Sequence, residues 1–284
     1  MRLNFFTILF FINYFGFSQI ETPQPSPSSK FEQMVGLTKI EIEYNRPSKK
    51  GRDIFGDLVP FGKLWRTGAN SSTKISFSTD VELVGNTIKE GTYSIFSLPN
   101  ENNWDIILYS DADLWGVPQD WDDKKIVFKS NYKSHKFEGT KSVETFTISL
   151  DNVTNNNSDL VIAWDDTYVK VKIDVPSRDM VESSIESTMN ASPKASDYYA
   201  AAVYYRQENI KLDVALKWMN KAMELTENPR FFQLRQQSLI MAANKRYTEA
   251  IDVAKKSLEL SIKADNQDYV KMNKDSIAEW SNKL

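Results

Sequence analysis

Cysteine is absent from this chain and histidine occurs once, at His135. Structural zinc, iron–sulfur clusters and haem-thiolate centres need several such ligands, so neither a metal nor a cofactor is expected. Cys–His catalysis is excluded, and Ser–His–Asp catalysis would depend on that single imidazole. No disulfide can brace the fold. Charge of one sign is lacking too: 35 Lys and Arg against 38 Asp and Glu leave a net charge of −3. That balance offers no electrostatic footprint for nucleic acid. A Gly-rich phosphate loop, a nucleophile elbow and a HExxH pair are all missing, which argues against the familiar enzyme classes. His135, within Tyr132-Lys133-Ser134-His135-Lys136, reads as a solvated loop residue.

What is present begins with an export signature. Arg2 precedes an apolar run from Phe5 to Phe17, and Gly16 and Ser18 are small enough for a cleavage site. We read residues 1–18 as a signal peptide, its apolar run short for a bilayer span and followed by polar residues, with an uncleaved N-terminal anchor as the alternative. Residues 19–32, rich in Pro and Ser, read as an extended tether. The mature protein is expected in the periplasm or outside the cell, with no membrane association after cleavage.

Residues 33–176 carry period-two patterns. Leu37–Tyr44, Thr73–Ser78, Val81–Val84, Thr92–Leu98, Trp104–Tyr109, Lys125–Lys129, Val143–Leu150, Leu160–Trp164 and Tyr168–Val175 alternate or run apolar between turn residues. Gly85-Asn86 is a two-residue hairpin signal and Asp165-Asp166 a tight turn. About nine short strands without helical interruption predict an all-β sandwich or barrel, most simply an antiparallel sandwich.

Between the first two strands, Tyr44 to Asn70 shows neither period, yet holds four glycines, two prolines, three arginines and a tryptophan. A loop this long is either functional or disordered. Ile54, Phe55, Leu58, Val59, Phe61, Leu64 and Trp65 are apolar groups that call for burial, so a packed loop is predicted. It would set Arg46, Arg52 and Arg66, with Trp65 and Asn70, against the sheet. Guanidinium forks suit carboxylate or phosphate. The competing reading makes each arginine a brace on backbone carbonyls, Asp53 or Asp57. The tryptophans Trp65, Trp104, Trp115, Trp121 and Trp164 could form a sugar-stacking platform or serve as core; Trp104 and Trp164, in strand patterns, read as core, and Trp115 and Trp121, in a loop, as exposed. Asp111-Ala112-Asp113 with Gly116 is half of a calcium loop, but Trp115 occupies the position of the third ligand.

At Pro176 the period changes. Ser177 is placed to cap an amphipathic connecting helix, residues 177–192 together with a linker ending near Pro193. Residues 193–284 are helical in character. Ala215–Leu225 aligns with Ala250–Leu260 at an offset of 35 residues, and the pair resembles tetratricopeptide-type repeats. Two repeats and a closing helix, Asn266 to Asn282, are expected, although Val203 and Ser238 stand where glycine is usual. So few repeats bury little alone, so the array should pack on the β domain, the Ser177 helix or a second copy.

Arg46-Pro47, Gly51-Arg52, Ile54-Phe55-Gly56, Val59-Pro60 and Trp65-Arg66-Thr67-Gly68-Ala69-Asn70 resemble the family known as domain of unknown function 2911. Gly91–Phe96, Trp104, Trp115-Gly116, Glu144-Thr145-Phe146 and Ala163-Trp164 extend the resemblance over roughly residues 33 to 175. The resemblance implies a fold and an exported compartment, but no activity. The resulting expectation is an exported, non-catalytic binding or interaction protein. A small anionic or carbohydrate ligand would sit at Arg46, Arg52, Trp65, Arg66, Asn70 and Trp115, and a protein partner on the helical repeats. The alternatives are a glycan-directed hydrolase using loop carboxylates such as Asp120, Asp122, Asp123, Glu144, Asp165 and Asp166, or a structural assembly module.

Overall fold

A computed structural model describes residues 22–284, which divide into two compact units at Ser177/Arg178. The expected signal peptide lies outside the described residues.

The first unit is one antiparallel sheet of eleven strands, in the order β1-β2-β3-β6-β7-β8-β11-β10-β9, with the β4–β5 hairpin attached to β11. Its strands are β1 (Ser28–Val35), β2 (Thr38–Asn45), β3 (Thr73–Phe77), β4 (Val81–Leu83), β5 (Asn86–Ile88), β6 (Gly91–Pro99), β7 (Asn103–Tyr109), β8 (Ile126–Lys136), β9 (Val143–Asp151), β10 (Asn157–Asp165) and β11 (Thr167–Asp174). Alternation explains them: in β2, Ile40, Ile42 and Tyr44 are buried while Lys39 and Glu43 face water. Each such apolar side chain removed from water contributes about 1.5–3 kcal/mol.

The sheet nearly closes into a barrel, and the irregular segment supplies the closure. Beyond β2, the Phe146 N–H donates to the Pro47 carbonyl at 2.9 Å and the Lys49 N–H to the Glu144 carbonyl at 2.7 Å. Ser48 and Thr145 form the bridge between them. Tyr44 strengthens this seam, its hydroxyl accepting from the Ile148 N–H at 3.1 Å. Farther on, Trp65 exchanges both backbone hydrogen bonds with Ser97 at 2.8 and 2.9 Å, so the segment occupies β6 beyond the end of β3.

Several expectations are corrected. The tether does not reach residue 32, because Ser28–Val35 forms β1 on β2. Its apolar alternation is weak, which hid it. The hairpin turn is Val84-Gly85, both at positive φ, rather than Gly85-Asn86. His135 lies within β8, its ring stacked on Tyr168 at 5.3 Å, and is not a loop residue. Ser177 opens the first helix but does not cap it: its Oγ accepts the Leu37 N–H at 2.9 Å.

The second unit holds six helices: α1 (Ser177–Met189), α2 (Ala195–Gln207), α3 (Leu212–Glu224), α4 (Phe231–Ala243), α5 (Tyr247–Lys263) and α6 (Gln267–Ser281). Consecutive helices from α2 onward pack on one another, and α4 also touches α2 and α6. Fully buried Ala202, Ala215, Ala222, Ala250 and Ala254 let the backbones approach. The Ser177 helix is no separate connector, since Ile185 packs on the cluster of Tyr205, Met219 and Ile240. Asn266 caps α6 by accepting the Tyr269 N–H.

Candidate ligand-binding site

The irregular segment is packed, as its apolar residues require. Ile54 and Val59 are buried and Phe55 and Trp65 pack on the core, although Leu58 and Phe61 stay exposed. Beneath it lies an aromatic cluster. Trp65 stacks on Trp164 at 6.2 Å and 18°, and meets Phe146, Trp104 and Phe55 edge-on. Trp104 and Trp164 are core, at 0 and 2% exposure. Both indole N–H groups that border the segment are spent on backbone: Trp65 Nε1 on the Gly68 carbonyl at 3.0 Å, Trp164 Nε1 on the Glu144 carbonyl at 3.2 Å.

Between the segment and this cluster lies a cavity of about 360 Å³. Lys50, Arg52, Arg66, Leu58, Trp65 and Trp164 are among the side chains lining it, with Gly68 and Pro47. Its described lining includes no Asp or Glu. Pockets that enclose small ligands run from about 300 to 1,000 Å³.

The six predicted site residues separate into two groups. Arg52, Trp65 and Arg66 share the cavity, whereas Arg46, Asn70 and Trp115 do not line it. Arg46 braces the barrel seam, donating from Nε to the Phe146 carbonyl at 3.0 Å and from Nη2 to Thr147 Oγ1 at 2.9 Å. Asn70, at φ +57, offers its carbonyl to Arg66 Nη1 at 2.8 Å and so positions that guanidinium. Trp115 is 77% exposed. Trp121 lies in a loop as expected but is only partly exposed, its ring stacked on Tyr109 at 4.5 Å.

Arg52 and Arg66 are partly braces as well. Arg52 donates Nε to the Lys49 carbonyl at 2.9 Å and Nη2 to the Ser48 carbonyl at 2.6 Å, closing the turn at Lys50-Gly51. A guanidinium carries five N–H donors, so these contacts leave donors over on both arginines. Neither makes an ion pair with a carboxylate among the described residues, Asp53 and Asp57 included. The nearest carboxylate to this wall is Glu144, which accepts the Lys50 backbone N–H at 2.8 Å.

The lining residues not expected at the site from the sequence are Pro47, Ser48, Lys50, Leu58 and Val59, together with Pro25 and Ser26 from the presumed tether. Lys50 carried a weak signal beside the Gly51 turn; Pro25 and Ser26 carried none. Gly116 is a further participant. At φ +84, a Cβ there would stand 3.2 Å from Arg66 Nη1. Gly116→Ala should cost about 1–2 kcal/mol through its left-handed backbone and displace the guanidinium. A variant melting with wild type would contradict this.

Most of the carboxylates considered for hydrolysis are engaged in structural contacts. Asp165 pairs with Lys49 at 2.5 Å and Asp166 with Lys136 at 2.6 Å. The Asp165 hydrogen bond holds the Lys49 ammonium above its ordinary pKa. Asp111 and Asp113, the half calcium loop, pair with Lys125 and Lys74. Asp122 caps a short turn through the Lys124 N–H, Asp123 accepts from Trp121, and Glu144 accepts the Lys50 N–H. No cluster of three metal-ligating side chains occurs among the described residues, and none of their helices is long and apolar enough to cross a membrane.

Comparison with curated proteins and with solved structures gave no match. A family described as "Protein of unknown function (DUF2911)" matches residues 26–173, which takes in β1 and the whole cavity-forming segment. That match covers more than half of the 284 residues, and the chain therefore belongs to the DUF2911 family.

Proposed function

We propose that this is a binding protein whose β unit holds a small anion carrying an apolar or sugar-ring body. The observation that carries this reading is a cavity wall with Lys50, Arg52 and Arg66 and no acidic side chain among its described residues. Three cations share one wall with no acidic side chain lining it, and a bound carboxylate or phosphate would accept their charge-assisted hydrogen bonds. The Trp65 and Trp164 rings and Leu58 supply an apolar surface for the remainder of the ligand. Carbonyl contacts hold the two guanidinium groups before any ligand arrives, which lowers the ordering cost of binding.

The helical unit fits a tetratricopeptide-type array serving as a partner surface. In support, α2, α4 and α6 begin at 195, 231 and 267, a steady interval, and α3 and α5 begin 35 residues apart. Export through residues 1–18 completes the reading, on the strength of the sequence pattern there.

Calorimetric titration with glucuronate and with glucose tests the β-unit site. Glucuronate should bind saturably and glucose much more weakly. Arg52→Lys and Arg66→Lys should each weaken glucuronate by about tenfold, as expected when a charge-assisted hydrogen bond is lost. The site is a brace alone if neither probe binds while the lysine variants lose thermal stability.

A further inference from the structure

A second cavity, of about 540 Å³, lies within the helical unit where α1 stands against α2 and α3. Asp179, Glu182 and Glu186 of α1 line it, with Tyr205 of α2, Trp218 of α3 and Lys211 from the turn between those two helices. The three acids stand three and four residues apart, which puts them on one face of α1. Along the helix axis that spacing is about 4.5 and 6 Å. The described lining holds no other Lys or Arg, so three carboxylates face one ammonium.

The floor is aromatic. Tyr205 is buried, and its ring stacks on Trp218 at 5.3 Å and 25°. Lys211 already sets its ammonium on this floor. Its Nζ stands 5.1 Å from the Tyr205 ring centroid and 3.5 Å from Tyr205 Oη, and pairs with Glu182. An aromatic face and a carboxylate together favour an ammonium, so the chain itself displays the chemistry this cavity holds. Among the described residues the ion pairs of α1 are Arg178–Glu208 and Glu182–Lys211, which leaves Asp179 and Glu186 without one. A salt bridge serving only to dock α1 would need Glu182 and Lys211. It would call for neither two further acids nor an open space beside the rings.

We propose that this cavity binds an alkylammonium group, the chemistry shared by linear polyamines and lysine side chains, and that Lys211 is an internal occupant which the ligand displaces. The entering ammonium takes the place of Lys211 beside the Tyr205 ring and on Glu182. Its alkyl chain lies along Trp218 and Ile185, as lysine stems lie along apolar surface. A second ammonium of the same ligand reaches Asp179 or Glu186. An occupant that must leave first lowers the apparent affinity by the fraction of time the site stands open. The site belongs to the helical unit alone and is independent of the β-unit cavity.

The test is calorimetric titration of the full chain with spermidine and, as the polypeptide arm, with acetyl-Lys-Lys-Lys-amide. Glu182→Gln should weaken binding about fivefold, the upper range for a partly exposed ion pair. Lys211→Met, which removes the occupant and keeps the stem, should tighten it by about the same factor. A lysine that merely docks α1 would give no such gain. Asp268→Asn, on α6 and outside the cavity, should leave the affinity unchanged and so controls for general surface charge. Preference for spermidine assigns the site to free polyamines, and equal or stronger binding of the tripeptide assigns it to lysine side chains; both support the site. Absence of binding to both wild type and Lys211→Met overturns it. So does a Lys211→Met variant that binds no tighter than wild type, or an Asp268→Asn loss as large as that of Glu182→Gln.

Discussion

Gly36→Ala is expected to cost the β unit about 3 kcal/mol or more, through a left-handed penalty of about 1–2 and overpacking of about 1–3. Gly36 turns the chain between β1 and β2 at φ +55. A Cβ there would lie 1.9 Å from Ser177 Oγ and 2.0 Å from the Asn155 carbonyl oxygen. The first could rotate away, but the second is backbone and cannot move without shifting the turn that precedes β10. Moving Ser177 would also release the Leu37 N–H that its hydroxyl now satisfies. Domains are stable by only about 5–15 kcal/mol, so this is a large fraction. The control is Gly51→Ala, at φ +71 with nothing within 4 Å of its Cβ, which carries only the backbone penalty. Urea unfolding followed by tryptophan fluorescence separates them. If the two variants unfold at the same midpoint, the steric argument fails.

Trp164→Ala should be comparably damaging, at about 3–5 kcal/mol for a buried aromatic truncated to a methyl. Its ring is stacked on Trp65 and edge-on to Phe146 at 5.8 Å, and its indole N–H ties β10 to β9 at Glu144. Phe146 in turn packs on Tyr44 at 5.8 Å, so one ring supports both the barrel seam and the cavity floor. Trp164→Phe keeps most of the apolar area and loses the hydrogen bond, so it should cost less than half as much. Both variants should also weaken glucuronate, alanine the more, because Trp65 loses the surface that fixes it. A Trp164→Ala chain within about 1 kcal/mol of wild type would show that the cluster tolerates collapse and that the floor is not rigid.

These two positions also show where reading the sequence stops. Trp164 was legible as core because it ends an apolar strand pattern, and a buried indole is the cheapest account of it. Gly36 was not, because nothing local distinguishes a turn glycine with open space, such as Gly51, from one pressed against a backbone 119 residues away.

The sequence by itself determined the β-then-α order, most strand and helix positions, the packed state of the Tyr44–Asn70 segment and membership of its family. All of these rest on periodicity, turn chemistry and blocks of residues that are near neighbours along the chain. Only the tertiary structure decided that β1 exists, and that Arg46 braces the barrel seam while Arg52 and Arg66 share a cavity with Lys50. Those facts depend on which distant backbone each guanidinium meets, as Arg46 meets Phe146. A side chain's partners are set by the crossing of strands and helices, and no local pattern encodes that crossing.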